Sequence, residues 1–267
     1  MKLIAIDLDG TTLNENGVIN PITIKVIRHL SYLGHKIIIT TGRPNAISID
    51  FYNQLKLNTP MINFNGALIY KPRSKWRLEK SSQLSYEIVY DILKLKNKYK
   101  IDLIVAEGKD FILGDRPYKN IPYLNDNINP INLLTIHNLK KRPISLSIFA
   151  SPDVLNSISK IIQNKYSNLL INSWGDWKNQ AIEIISTDAR KSLAVRYVAN
   201  YYNINLSDVI AFGDGDNDLD MLNDAGLGIA MKNSNDNVKK IADLQTKFTN
   251  KNDGLAYFLI DYFNLEI

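Results

Sequence analysis

The chain predicts an α/β fold: a parallel-sheet core with helices on both faces, interrupted by an inserted α+β domain. Three observations carry that reading. Short apolar runs alternate with helix-period segments in the first third of the chain and again in the last third, which is the rhythm of strand–helix–strand units. The middle, from about Gln83 to Ser186, breaks that rhythm with several short β-like runs. Acidic, glycine and hydroxyl residues gather where the core strands should end, beginning with the two aspartates that close KLIAIDLDG.

The elements follow in order. Leu3–Asp7 reads as a buried strand. Pro21–Leu33 spaces Ile24, Ile27 and Leu30 as one face of a helix, widened by Val26 and Leu33, and Gly34 stops it. Lys36–Thr40 is a β-rich strand closed by Gly42, and Pro44–Leu55 is a second helix. Met61–Tyr70 is a strand interrupted by the turn pair Asn65-Gly66. In the middle, helices at Tyr86–Tyr99 and Asp153–Tyr166 accompany strands at Leu103–Val105, Phe111–Leu113, Ser145–Phe149, Leu169–Ser173 and Ala181–Ile185. The asparagine-rich stretch Asn125–Asn132 is an exposed loop in this reading. The last third runs helix Lys191–Tyr202, strand Val209–Phe212, short helix Asp218–Asp224, strand Leu227–Met231 and helix Asp236–Leu244. The expected division is a core of residues 1–82 and 187–267, and an inserted domain of residues 83–186.

Composition narrows the function. The 267 residues are 45% hydrophobic, enough for a sizeable core. The net charge of +5 is mild and spread along the chain, so an anionic substrate fits but nucleic acid is not required. With no cysteine, disulfides and thiolate metal sites are excluded. The amino terminus does not read as a secretory signal, and no apolar run approaches membrane-spanning length. A cytoplasmic location is the expectation, with no membrane partner.

Ligands of an open parallel sheet bind beyond the carboxyl ends of its strands. Asp7 and Asp9 lie there, then Thr40, Thr41, Gly42 and Arg43, then Asn65-Gly66, then GDGDND from Gly213 to Asp218. Clustered carboxylates repel one another without a cation. All candidate ligands are oxygens, so a hard ion is favoured, most simply Mg²⁺. Glycines that let backbone N–H groups approach an anion point to phosphate beside it.

DLDGT (Asp7–Thr11), TTGR (Thr40–Arg43), the lone Lys191 and GDGDND together resemble the four motifs of the haloacid dehalogenase superfamily, mostly phosphatases and phosphotransferases. FNGA (Phe64–Ala67) and NDGLAYFL (Asn252–Leu259) resemble its Cof-type branch. That resemblance implies a Rossmann-like core, with the middle segment as a large α/β cap that closes over the substrate. It implies Asp7 as the nucleophile, Asp9 as the general acid and base, and Lys191 as the group that orients Asp7. Thr41 would hold the phosphoryl group, with Gly42, Arg43, Asn65 and Asn217 as further phosphate or substrate contacts. Asp7, the Asp9 carbonyl, Asp214 and Asp218 would hold Mg²⁺, directly or through water, while Asp216 stays a loop residue. The lysine motif reads DARKSLA here, so Arg190 competes with Lys191 for its role. The implied activity is a Mg²⁺-dependent phosphatase for small phosphorylated metabolites, with phosphosugars leading and phosphorylated cofactors behind them. A phosphosugar mutase or phosphotransferase, or a non-catalytic phosphometabolite-binding protein, are the alternatives. No protein partner is readable.

Other features take ordinary readings. His29, His35 and His137 are structural or surface groups. The lysines of KLKNKYK, Lys94 to Lys100, form a solvated face. Trp174 and Trp177 line a pocket of the inserted domain or pack its core.

Overall fold

The computed structural model describes residues 1–119, 121, 124, 133–175 and 180–266, so the stretch 125–132 and Trp177 lie outside it. In chain order the elements are β1 (Leu3–Ile6), α1 (Pro21–Tyr32), β2 (Lys36–Ile39), α2 (Asn45–Gln54), β3 (Met61–Asn63), β4 (Leu68–Tyr70) and β5 (Lys80–Ser81). Then come α3 (Tyr86–Lys98), β6 (Ile101–Gly108), β7 (Phe111–Gly114), β8 (Ser145–Ala150), α4 (Pro152–Lys165), β9 (Leu169–Trp174) and β10 (Ala181–Ser186). The chain continues through α5 (Lys191–Tyr201), β11 (Val209–Gly213), α6 (Leu219–Asp224), β12 (Leu227–Ala230), α7 (Asp236–Ile241), β13 (Leu244–Gln245) and α8 (Gly254–Phe263). It folds as two compact units: Met1–Arg43, Ser48–Lys80 and Arg190–Ile267 form one, and Pro44–Ile47 with Ser81–Ala189 form the other.

The first unit is built on a sheet of order β13-β12-β11-β1-β2 in which every neighbouring pair is parallel. Leu3 to Ile6 are wholly buried, as the central strand of a sheet covered on both faces must be. A single parallel bridge from Thr40 to Ile62 continues the sheet toward β3, which turns back antiparallel into β4. After β1 the chain steps to β2 on one side, and β11 later takes the other side. Strand order therefore reverses at β1, and the carboxyl ends of β1 and β11 flank the crevice that such a reversal opens. One layer of the core packs Leu3, Ala5, Ile38, Val209 and Ala211 against Val195 and Val198 of α5.

Several elements differ from the sequence reading: α8 and β5 have no counterpart in it, and two others change form. The helix expected over Asp236–Leu244 ends at Ile241, because Asp243 is drawn into the sheet. The Asp243 N–H donates to the Gly228 carbonyl, and its carboxylate accepts the Gly228 N–H. Leu244–Gln245 then pairs with β12 as an edge strand. The strand expected over Met61–Tyr70 is a tight hairpin, with Phe64, Asn65 and Gly66 all at positive φ.

The second unit is an antiparallel sheet of order β7-β6-β8-β10-β9. On one face α3 and α4 lay Val89, Ile92, Leu155, Ile158 and Ile162 onto Ile104, Leu146, Ile148, Ile182 and Ile184. Alternation puts Val105, Ser147 and Glu183 on the other face, in direct cross-strand register. Glu107 and Glu183 are buried there among Ser145 and Ser147. Trp174 packs edge-on against Phe149 at 5.3 Å and lines a cavity of about 310 Å³ together with Leu155, Asn156 and Ile182. Lys96, expected on a solvated face, pairs with the buried carboxylate of Asp115.

Candidate active site

The carboxyl end of β1 delivers Asp7, whose backbone N–H still bonds the Phe212 carbonyl of β11 at 3.1 Å. Its carboxylate, only 5% exposed, stands at the crevice between the strands. Just beyond, Asp9 (φ −72°, ψ 130°) and Gly10 (φ 69°, ψ −4°) have the dihedrals of the central residues of a type II turn. Glycine is required twice over at position 10. The φ is positive, and a Cβ would lie 2.1 Å from Asp214 Oδ2.

Lys191, the first residue of α5, is 1% exposed and reaches two carboxylates. Its Nζ donates to Asp7 Oδ1 at 2.7 Å and to Asp218 Oδ1 at 2.6 Å. Burial works against the ammonium charge, but Asp218 and Asp7 outweigh it and hold its pKa above the ordinary lysine value. Arg190 is exposed, so the geometry separates the two adjacent cations cleanly. Asp218 is fully engaged: its second oxygen accepts the backbone N–H groups of Asp214 and Gly215 at 3.0 and 3.1 Å.

Oxygens of Asp7, Asp214 and Asp218 lie within 4.8 Å of one another. Burial pushes the Asp7 carboxyl well up despite Lys191, with Asp218 and Asp214 adding to the rise. Burial, then Asp218, raises Asp214 to about 6. One ammonium thus serves several crowded carboxylates. An all-oxygen set short of positive charge fits a hard divalent cation.

The residues expected on the phosphate side come from the ends of β2 and β3. Thr41 is fully buried, and its Oγ1 accepts the Arg43 N–H at 3.1 Å. A Cβ at Gly42 would lie 3.1 Å from Asn65 Oδ1, so the Asn65 side-chain amide packs closely on this glycine. Asn65 (φ 55°) accepts a hydrogen bond from Asn217 Nδ2 at 2.9 Å, which ties the hairpin to the loop after β11. Arg43 makes a contact that the sequence reading did not include. Its Nε and Nη2 clamp both carboxylate oxygens of Asp9, at 2.7 and 2.5 Å, and its guanidinium lies 5.4 Å from the Phe51 ring centre. The Asp9 side chain is therefore turned toward Arg43 and stands outside the Asp7–Asp214–Asp218 group.

Several contacts at the site have no counterpart in the motif reading. Thr11 Oγ1 donates to Asp214 Oδ1 at 3.2 Å, so its bond crosses to another loop. Asn233 and Asn250, from loops beyond the motifs, hold the turn after Asp7. Asp216 opens a short 3-10 turn, Asp216–Asp218, and its Oδ1 accepts a hydrogen bond from Asn235 Nδ2 at 2.9 Å. Of the histidines, His35 accepts the Lys2 N–H and packs edge-on against Phe263, a structural role.

The profile of haloacid dehalogenase-like hydrolases matches residues 4–259. The chain belongs to that family and is a phosphatase of it. It is 33% identical over 268 residues to the 5-amino-6-(5-phospho-D-ribitylamino)uracil phosphatase YitU of Bacillus subtilis, covering 98% of each chain. A putative phosphatase of Metamycoplasma hominis is 28% identical over 267 residues, with 96% of this chain and 95% of that one aligned. Among solved structures, a haloacid dehalogenase-like hydrolase from Bacteroides thetaiotaomicron superposes with a TM-score of 0.82 at 24% identity, over 98% of this chain and 99% of that one. Among the described residues no helix is long and apolar enough to cross a membrane.

Proposed function

We propose that the protein is a Mg²⁺-dependent phosphatase that hydrolyses a primary phosphate monoester of a small polyhydroxylated metabolite through an aspartyl-phosphate. The observation that carries this reading is the Asp7 carboxylate, buried at a strand switch point and held by Lys191 next to Asp214. Asp7, Asp214 and the Asp9 carbonyl would hold the ion, with Asp218 supporting it through Lys191 and the backbone of Asp214. The ion supplies charge neutralisation between two anions, the phosphate and its attacker.

The chain's own residues do the rest. An Asp7 oxygen attacks phosphorus as the ester P–O bond breaks, and the leaving alkoxide takes its proton from Asp9. Water then loses a proton to Asp9 and attacks the same phosphorus. The bond to Asp7 breaks, releasing inorganic phosphate and restoring the nucleophile. Lys191 fixes the rotamer of Asp7. The Thr41 hydroxyl and the amides of Asn65 and Asn217 bind phosphate oxygens. We assign the α+β unit, residues 83–186 in the sequence division, the role of a cap that sets substrate choice.

The polyol class rests on the YitU likeness, because a phosphoribityl group and a sugar phosphate share one chemistry: a phosphate on a primary carbon beside a row of hydroxyls. A panel of sugar phosphates, ribityl phosphates, flavin mononucleotide and pyridoxal phosphate, assayed for phosphate release with Mg²⁺ and with chelator, tests it. Metal-dependent release is expected, fastest on the open-chain and sugar phosphates. Equal rates with chelator, or release only from pyridoxal phosphate, which has no polyol chain, would refute it.

A further inference from the structure

The turn that follows the nucleophile is held from outside the four motifs. The Asn233 Nδ2 donates to the Gly10 carbonyl at 2.7 Å, and its Oδ1 accepts the Asn250 backbone N–H at 3.0 Å. The Asn250 Nδ2 in turn donates to the Leu13 carbonyl at 2.8 Å. A backbone N–H only donates and a carbonyl only accepts, so the orientation of the Asn233 amide is forced. The two asparagines grip the turn at its centre and at its end. A third bond, from Leu13 N–H to the Leu8 carbonyl at 2.8 Å, closes the loop on itself.

What the clamp controls is set by its neighbours. Gly10 packs so closely on Asp214 that a Cβ has no room. The peptide that Asn233 holds is adjacent to the one carrying the Asp9 carbonyl. Any slide of the turn therefore changes the spacing between that carbonyl and the Asp214 carboxylate. We infer that Asn233 and Asn250 are positioning residues that set the geometry of the cation site by fixing the Gly10–Leu13 backbone. The inference rests on the proposed metal reading, with Asp7, the Asp9 carbonyl and Asp214 as ligands.

Isothermal titration of the purified full chain with Mg²⁺ alone, beside calorimetric unfolding without metal, tests it on Asn233→Ala, Asn250→Ala and Asp214→Asn. Outer-shell substitutions typically cost about 10- to 100-fold in metal affinity, and a rise of about tenfold in the Mg²⁺ dissociation constant is expected for each asparagine variant. A purely structural role would lower the melting temperature and leave that constant unchanged. Wild-type Mg²⁺ affinity in both asparagine variants, with binding lost in Asp214→Asn, overturns the inference and leaves the metal reading standing. No Mg²⁺ binding by the unsubstituted protein overturns both. Failure of Asn233→Ala to fold, with Asn250→Ala folded and binding normally, overturns the inference too.

Discussion

Arg43 holds Asp9 by both carboxylate oxygens, although the two residues are separated by 34 positions and arise from the ends of different strands. The side chain assigned to proton transfer is thus anchored by a planar fork, and the fork is itself backed by Phe51. The Asp9 side chain is half exposed, so the pair contributes little to stability. Its effect is expected in orientation. Arg43→Ala should lower kcat/KM by about 10- to 100-fold, the scale of misplacing a reacting group by about 1 Å. The loss should be larger for an alkyl phosphate than for p-nitrophenyl phosphate, whose leaving group needs no proton. Arg43→Lys should recover only part of it, since an ammonium cannot make the parallel pair of bonds. Steady-state kinetics on the two substrates check this.

Asp7→Asn should abolish turnover by about 10³-fold or more while the chain stays folded, because the amide cannot attack phosphorus. Lys191 keeps Asp218 as a partner in that variant. Phosphate release, paired with circular dichroism, measures both halves of the expectation. Rates near those of the unsubstituted enzyme would remove Asp7 from its role.

Lys191→Met should behave oppositely, as a stability mutant. It leaves Asp7 and Asp218 buried without their cation, and breaking a buried ion pair costs about 3–5 kcal/mol. Adding Asp218→Asn should return part of that loss. Urea denaturation of the single and double variants gives the difference directly.

Stability should also fall as pH rises, through the α+β unit. Burial lifts Glu107 from an ordinary 4.5 to about 8, with Glu183 adding to the rise, and burial lifts Glu183 to about 7. Below pH 4.5 both states carry the proton and there is no difference. Between the unfolded and folded values only the native chain keeps it, so stability declines across that window and the full penalty applies above about 8. Glu107→Gln should flatten the profile and raise the melting temperature at pH 8–9, read by calorimetry across pH.

The legible parts of the fold have a common physical basis. Leu3–Ile6 and Val209–Phe212 are apolar runs because parallel strands are covered on both faces, and the acids and glycines that end them announce a ligand edge. The Asp7–Lys191 contact was legible only through the motif resemblance, and the Lys191–Asp218 contact was not legible at all. The partner of Arg43 was not legible, since a cation near a carboxylate and a phosphate can serve either, and only geometry decides. β13 escaped notice because Leu244 falls in phase with the helix before it, and a two-residue exposed strand has no pattern of its own. Asn233 and Asn250 were invisible for a different reason. Their partners are main-chain carbonyls 223 and 237 residues away, and a carbonyl leaves no mark on a sequence.

The separation of Asp7 and Lys191 by 184 positions has a consequence during synthesis. The ribosome extrudes Asp7 first, and its neutralising ammonium emerges only after the whole α+β unit has been made. A nascent chain cannot bury the acidic tip of β1 before then without stranding a charge. A chain that stops ahead of Lys191 also lacks β11 and the Asp214–Asp218 loop, so the carboxyl end of β1 has neither its neighbouring strand nor its cation.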